Sequence, residues 1–204
     1  MLTCSLCPPT PTELYHYTHG LARKPTSARR PKRFAAPSLS VVQLEPMERT
    51  LQVLNAIERD GVISRYAIGG ALAATFYAEP ILTLDLDIFV VLPETAGGLL
   101  TLTPLYNDLR RRGYPEAGEC VLIEGIPVQF LPAYNALLEE ALAEARETLY
   151  ERTPTRVLRA EHLVAIALQT GREKDRERIR ILKEQAPLDR AYLAAVLSRH
   201  GLER

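Results

Sequence analysis

Residues 66–92 read Tyr-Ala-Ile-Gly-Gly-Ala-Leu-Ala-Ala-Thr-Phe-Tyr-Ala-Glu-Pro-Ile-Leu-Thr-Leu-Asp-Leu-Asp-Ile-Phe-Val-Val-Leu, and few folds accommodate that order. The run predicts a strand ending at Ile68, a turn at Gly69 and Gly70, a short helix over 71–77, a break at Pro80 and a second strand over 82–92. Side chains on a strand alternate faces, so Asp85 and Asp87 are expected to share one face, roughly 7 Å apart, opposite Leu84, Leu86 and Ile88. Small residues Ala71, Ala73 and Ala74 would let the short helix lie close on the sheet.

Two like charges on so apolar a strand work against folding unless something neutralises them. A divalent cation does so: Mg²⁺ favours carboxylate oxygens together with substrate phosphates, and such ions hold the attacking and leaving oxygens in phosphoryl chemistry. Gly69 and Gly70 would let the backbone approach a ligand and aim N–H groups at an anion. Taken singly, a Gly-Gly pair is most often a plain turn, and an Asp-x-Asp is equally at home on a solvated edge strand or at a helix cap. Their conjunction around one short helix, with apolar flanks on both, favours a phosphate and metal site at neighbouring strand ends.

Ile68-Gly69-Gly70, followed after about fourteen residues by Asp85-Leu86-Asp87-Ile88, resembles the minimal nucleotidyltransferase superfamily, and within it the AbiEii-like abortive-infection proteins and other bacterial or archaeal members. The likeness runs from about residue 47 to the C-terminus. It implies an α/β (α+β) fold with a small mixed β-sheet, packed helices and a helical C-terminal part. It further implies Mg²⁺ (or Mn²⁺) on Asp85 and Asp87, an NTP as substrate, and transfer of its NMP to an RNA, protein or small-molecule acceptor. Relatives often carry a third carboxylate on a later strand, where Gln129 stands here; an amide can hydrogen-bond or weakly ligate but cannot accept the nucleophile's proton. A base from Glu119 or Glu124, one-metal chemistry, or loss of catalysis would each accommodate Gln129. Gly171-Arg172-Glu173-Lys174-Asp175 resembles a segment in which Lys174 would reach nucleotide phosphates and Asp175 would orient it or brace the wall of the site. Relatives frequently place a lysine where Ala167 stands and an acid where Arg178 stands. A plainer reading of that segment is a solvated helix laced by Glu173/Arg176, Asp175/Arg178 and Glu177/Arg180 pairs.

The remaining chain predicts helices over 47–60, closed by Gly61, and over 102–112, closed by Gly113. A hairpin of runs 119–123 and 127–131 follows, then one long amphipathic helix over 133–150 and a strand over 155–158. A buried helix over 160–169 and a last helix capped by Asp189 complete the order. Arg110, Arg111 and Arg112 suit a helix C-terminus, with phosphate steering as the alternative. Cys120 reads as a small core residue, and His162 and His200 as structural or exposed.

Residues 1–46 hold seven of the chain's 15 prolines, with six basic residues against two acidic, and read as a disordered basic tail. Residues 47–204 form the domain, with a sheet core at about 62–132 and C-terminal helices at about 133–204. Within the tail, Cys4, Cys7, His16 and His19 have spacings too tight for the common zinc fingers. Formal net charge is zero and 47% of residues are hydrophobic, so nothing demands a nucleic-acid partner. No run is long enough for a membrane span and no secretory signal opens the chain, which makes the cytoplasm the expected location. Resemblance adds a toxin–antitoxin or phage-defence setting with a partner protein from an adjacent gene. The alternative is a catalytically inactive relative that binds a nucleotide or a partner, which Gln129, Ala167 and Arg178 would favour.

Overall fold

The computed structural model describes residues 40–80, 83, 85–93 and 100–203, so the cysteine and histidine pairs near the N-terminus, with the rest of the basic segment expected to be disordered up to residue 39, lie outside the described residues, as do residues 94–99. Helix α1 spans Ser40–Arg59, starting seven residues earlier than periodicity suggested. Pro46 lies inside it; a proline removes one helical hydrogen bond without forbidding the flanking turns. One turn on, the Thr50 hydroxyl lies 2.8 Å from the Pro46 carbonyl and 3.0 Å from that of Ile123, tying the helix to the sheet. Leu51, Leu54 and Ile57 form its fully buried stripe.

Next come β1 (Arg65–Ile68), α2 (Gly70–Ala74), β2 (Leu86–Val91) and α3 (Thr103–Arg111). The second half holds β3 (Glu116–Ala117), β4 (Cys120–Ile123), β5 (Ile126–Pro132), α4 (Ala136–Ala143), β6 (Arg146–Tyr150) and β7 (Thr153–Val157). Helices α5 (Ala160–Thr170), α6 (Glu173–Gln185) and α7 (Arg190–Arg199) complete it. The strands form one seven-stranded mixed sheet in the order β3-β4-β5-β2-β1-β7-β6. Strand β2 runs antiparallel to β1 and parallel to β5, while β1 runs parallel to β7. This is the expected fold class: a mixed sheet, packed helices and a helical C-terminal part.

Two local expectations are corrected. Strand β2 begins at Leu86, so Asp85 sits in a bend just ahead of it. The long helix expected over 133–150 is α4 followed by β6. Leu137, Leu138, Ala141 and Leu142 are buried as expected, but Leu149 is 62% exposed on the edge strand. Its i+4 spacing from Ala145 matched a helix by coincidence. Arg146–Tyr150 pairs instead with Thr153–Val157 in a tight hairpin that turns at Glu151, where φ is +52°, and this pairing overrides the helical pattern.

His162 and His200 both approach Glu140, at 3.3 and 2.8 Å, and the Arg199 guanidinium donates to it at 2.5 Å. These contacts join α4, α5 and the end of α7. Both imidazoles are therefore structural, as the sequence suggested, though their shared partner was not visible there.

Candidate active site

The parallel register of β2 on β5 places Asp87 beside Gln129 and Phe89 beside Leu131. These four residues share one face of the sheet, and the opposite face carries Leu86, Ile88, Val128 and Phe130 into the core. Asp87, Gln129, Phe89 and Leu131 floor a cavity of about 170 Å³. Leu138, Leu163 and Ile166 give it an apolar wall, exposed Tyr134 stands at its mouth, and Arg172, Lys174 and Arg178 supply three cations.

The two glycines are fixed by what packs on them. A Cβ at Gly70 would lie 1.7 Å from Asp87 Oδ2, and Gly70 adopts φ +61°. At Gly69 it would lie 2.2 Å from Phe89 Cε2. The turn therefore cradles the Asp87 carboxylate. Gly69 N–H donates to the Asp87 carbonyl at 2.9 Å, so it is not among the N–H groups free to meet an anion, contrary to the expectation from sequence.

Burial raises the Asp87 pKa, and the charge of Asp85 raises it further, while Arg178, Lys174 and Arg172 act in the opposite sense. Asp85 is thus within electrostatic reach of Asp87, and it lines a second cleft with Thr83, whose hydroxyl lies 2.9 Å from Asp85 Oδ1. Gln129 Nε2 donates to Glu119 Oε2 at 3.3 Å, which brings a carboxylate one side chain from Asp87. Glu124 is engaged elsewhere, by the Tyr114 hydroxyl at 3.0 Å and Arg49 at 3.2 Å. Cys120 is half-buried rather than a core residue; burial and the charges of Asp85, Asp87 and Glu119 push its thiol pKa up.

Asp175 is fully buried and does not orient Lys174. It accepts from Arg172 Nε at 2.9 Å, from the Arg172 N–H at 3.3 Å and from Arg178 at 3.2 Å, so it clamps two arginines at the start of α6. Arg178 Nε is buried with no partner among the described residues. An unmet buried donor is costly, about 1–3 kcal/mol, unless an acceptor arrives. The Asp175/Arg178 and Glu177/Arg180 pairs of the plain reading are also present. Sequence reasoning thus missed Arg172 and Arg178 as cavity cations; their signal was the i−3 and i+3 spacing from Asp175. Arg110, Arg111 and Arg112 pair with Glu116, Asp108 and Asp60 instead and do not line this cavity.

No protein-family model and no curated protein matches the chain. Solved structures similar to it include a crystal structure of ANT(2'')-Ia in complex with adenylyl-2''-tobramycin, with a TM-score of 0.46 and 18% identity over 78% of this chain and 99% of that one. An antigenic nucleotidyltransferase-like protein from Paracoccidioides brasiliensis gives 0.49 and 12% identity over 78% and 89%. The solution structure of the antibiotic-resistance factor ANT(2'')-Ia gives 0.47 and 16% identity over 79% and 92%.

Proposed function

We propose that this protein moves an NMP from an NTP to an acceptor hydroxyl, with a divalent cation, Mg²⁺ or Mn²⁺, held by Asp85 and Asp87. The observation that carries this reading is one cavity in which a half-buried carboxylate faces three cations, one of them with a buried unmet donor. A metal fits the donor set: Asp87 is costly to ionise where it lies, Asp85 adds to that cost, and a cation relieves both. Among the described residues no group of three or more His, Cys, Asp or Glu could hold a metal alone, so substrate phosphates would complete the coordination, as Mg²⁺ accepts. Once bound, the cation would supply charge neutralisation on the transferring phosphoryl group.

The chain's own groups have distinct tasks. Lys174, Arg172 and Arg178 bind the phosphates, Asp175 holds the two arginines in place, and Gly70 lets Asp87 sit against the backbone. Gln129 orients by hydrogen bonding, and Glu119, its hydrogen-bond partner, is a carboxylate able to receive a proton. The family resemblance adds a cytoplasmic setting, an AbiEii-like affiliation and a partner protein from an adjacent gene in a toxin–antitoxin or defence pair. Among the described residues no helix is long and apolar enough to cross a membrane.

Gln129 at the register position beside Asp87 favours a second reading, a nucleotide- or partner-binding protein without turnover. Incubation with each α-³²P-labelled NTP, Mg²⁺ or Mn²⁺ and mixed acceptors separates the two. Label transfer by the natural protein, absent in Asp85→Ala/Asp87→Ala, supports the enzyme. Metal-dependent NTP binding by calorimetry without any transfer leaves the binding protein.

A further inference from the structure

The Asp87 cavity combines two chemistries. Asp87 and the three cations suit a metal-bound triphosphate, while Leu138, Leu163 and Ile166 form an apolar wall and the exposed Tyr134 ring stands at the mouth. At about 170 Å³ the cavity is too small to enclose a whole nucleotide, so a triphosphate among the cations leaves the base at the mouth. Gln169, exposed like Tyr134, also lines the cavity, and Asn135 joins the two: it follows Tyr134 in the chain and hydrogen-bonds to Gln169.

That hydrogen bond has a fixed direction. Asn135 is the N-cap of α4, and its Oδ1 accepts from the Leu138 N–H at 2.9 Å, which leaves Nδ2 as the end that donates. Nδ2 donates to Gln169 Oε1 at 3.0 Å. The helix cap therefore settles which end of the Gln169 amide is engaged, and the end left for a ligand is Nε2, a donor.

We propose, resting on the nucleotidyl-transfer reading, that the base of the NTP stacks on Tyr134 and that Gln169 selects guanine or uracil over adenine or cytosine. An aromatic face holds any base, so stacking supplies affinity without choice. The choice falls to the hydrogen bond. At corresponding edge positions guanine and uracil present a carbonyl, whereas adenine and cytosine present an amino group. Gln169 Nε2 meets the first as donor to acceptor and the second as donor to donor. Because Gln169 is exposed, a mismatched N–H can turn to water, and the preference is about fivefold, the worth of one such hydrogen bond.

Inosine triphosphate differs from ATP by a carbonyl in place of the 6-amino group, and UTP differs from CTP in the same way at position 4, which makes these pairs direct probes. Each is titrated calorimetrically with Mg²⁺ or Mn²⁺, beside inorganic tripolyphosphate. Inosine triphosphate and UTP should bind about fivefold more tightly than ATP and CTP. Gln169→Ala should bring both ratios to about one, and Gln169→Glu, which still accepts from Asn135 but presents an acceptor to the base, should reverse them. Tyr134→Ala should weaken all four nucleotides about tenfold and leave tripolyphosphate unchanged. The ratios are internal to each variant, so loss of some folded protein does not imitate them. Equal binding within each pair, tighter binding of ATP and CTP, ratios unmoved in both Gln169 variants, or an equal loss of tripolyphosphate in Tyr134→Ala overturns this base site and leaves nucleotidyl transfer standing. Absence of metal-dependent binding of every nucleotide overturns both.

Discussion

Asp108 on α3 and Asp87 on β2 are both largely withdrawn from solvent, yet their surroundings differ in kind. Asp108 accepts from Arg111 at 3.0 Å and from Arg112 at 2.5 Å, and Arg112 also reaches Asp60 at 2.7 Å. Asp87 feels Arg178, Lys174 and Arg172 only through their charge; among the described residues none donates a hydrogen bond to its side chain. At Asp108 the cations are spent on the fold. At Asp87 none is bound to the carboxylate, Arg172 and Arg178 being held by Asp175 instead, and the carboxylate keeps a raised pKa that a cationic ligand would offset. Burial of a charge is thus no guide to function until its hydrogen bonds are counted.

The largest expected effect tests the cradle around Asp87. Gly70→Ala should cost roughly 3 kcal/mol in urea denaturation, since it combines a left-handed backbone with a Cβ inside the Asp87 carboxylate. Gly61→Ala, at φ +73° but with nothing within 4 Å of the new atom, should cost about 1–2 kcal/mol from the backbone alone. Equal losses in the two variants would mean that Asp87 does not pack on Gly70.

Next in size is the exchange of each carboxylate for its amide. Asp108→Asn should lose about 2 kcal/mol of stability, because charged hydrogen bonds to two arginines weaken, and NTP binding should be unchanged. Asp87→Asn should be as stable as the natural protein at neutral pH or slightly more so, while Mg²⁺-dependent NTP binding falls at least about tenfold. The sign follows from linkage. A carboxyl whose folded pKa is raised contributes stability in acid that is lost as pH climbs through that pKa, so the variant's advantage should vanish as pH drops below the ordinary carboxylate range. A stability loss at neutral pH in Asp87→Asn would make it a structural residue like Asp108.

Glu140 provides the opposite pH signature. Burial raises its pKa, but hydrogen bonds from Arg199, His200 and His162 outweigh that and bring it down to about 2. Its stability contribution is therefore present above the unfolded value near 4.5 and lost as pH falls towards 2. Glu140→Gln should cost about 2 kcal/mol at pH 7, allowing for solvent screening, with the gap to the natural protein closing by pH 2 in calorimetric unfolding. A gap independent of pH would show that packing, not charge, joins α4 to α7.

The smallest effect is expected at Arg110, exposed and paired with Glu116. Arg110→Ala should change NTP affinity less than about twofold in a calorimetric titration, the level expected of an exposed pair remote from the cavity. A tenfold loss would restore the phosphate-steering role that the sequence offered for this cluster.

By itself the sequence determined the elements whose signals are local. Apolar periodicity marked α1, α3 and α5, Asp189 capped α7 by accepting from the Tyr192 N–H, and the Gly125 turn marked the β4–β5 hairpin. It also singled out Gly70, Asp87, Gln129 and Lys174, which line one cavity, and Asp85, which lines another. Tertiary structure alone decided what those residues meet. Strand register put Gln129 beside Asp87, 42 residues away in the chain. Packing of α6 on α5 brought Arg172, Lys174 and Arg178 over the sheet while Asp175 held the arginines. The division has one physical cause: helix periods, caps and turns are energies of neighbouring residues. Register, burial and the fate of a charge depend on groups tens of residues away, whose positions no local pattern records.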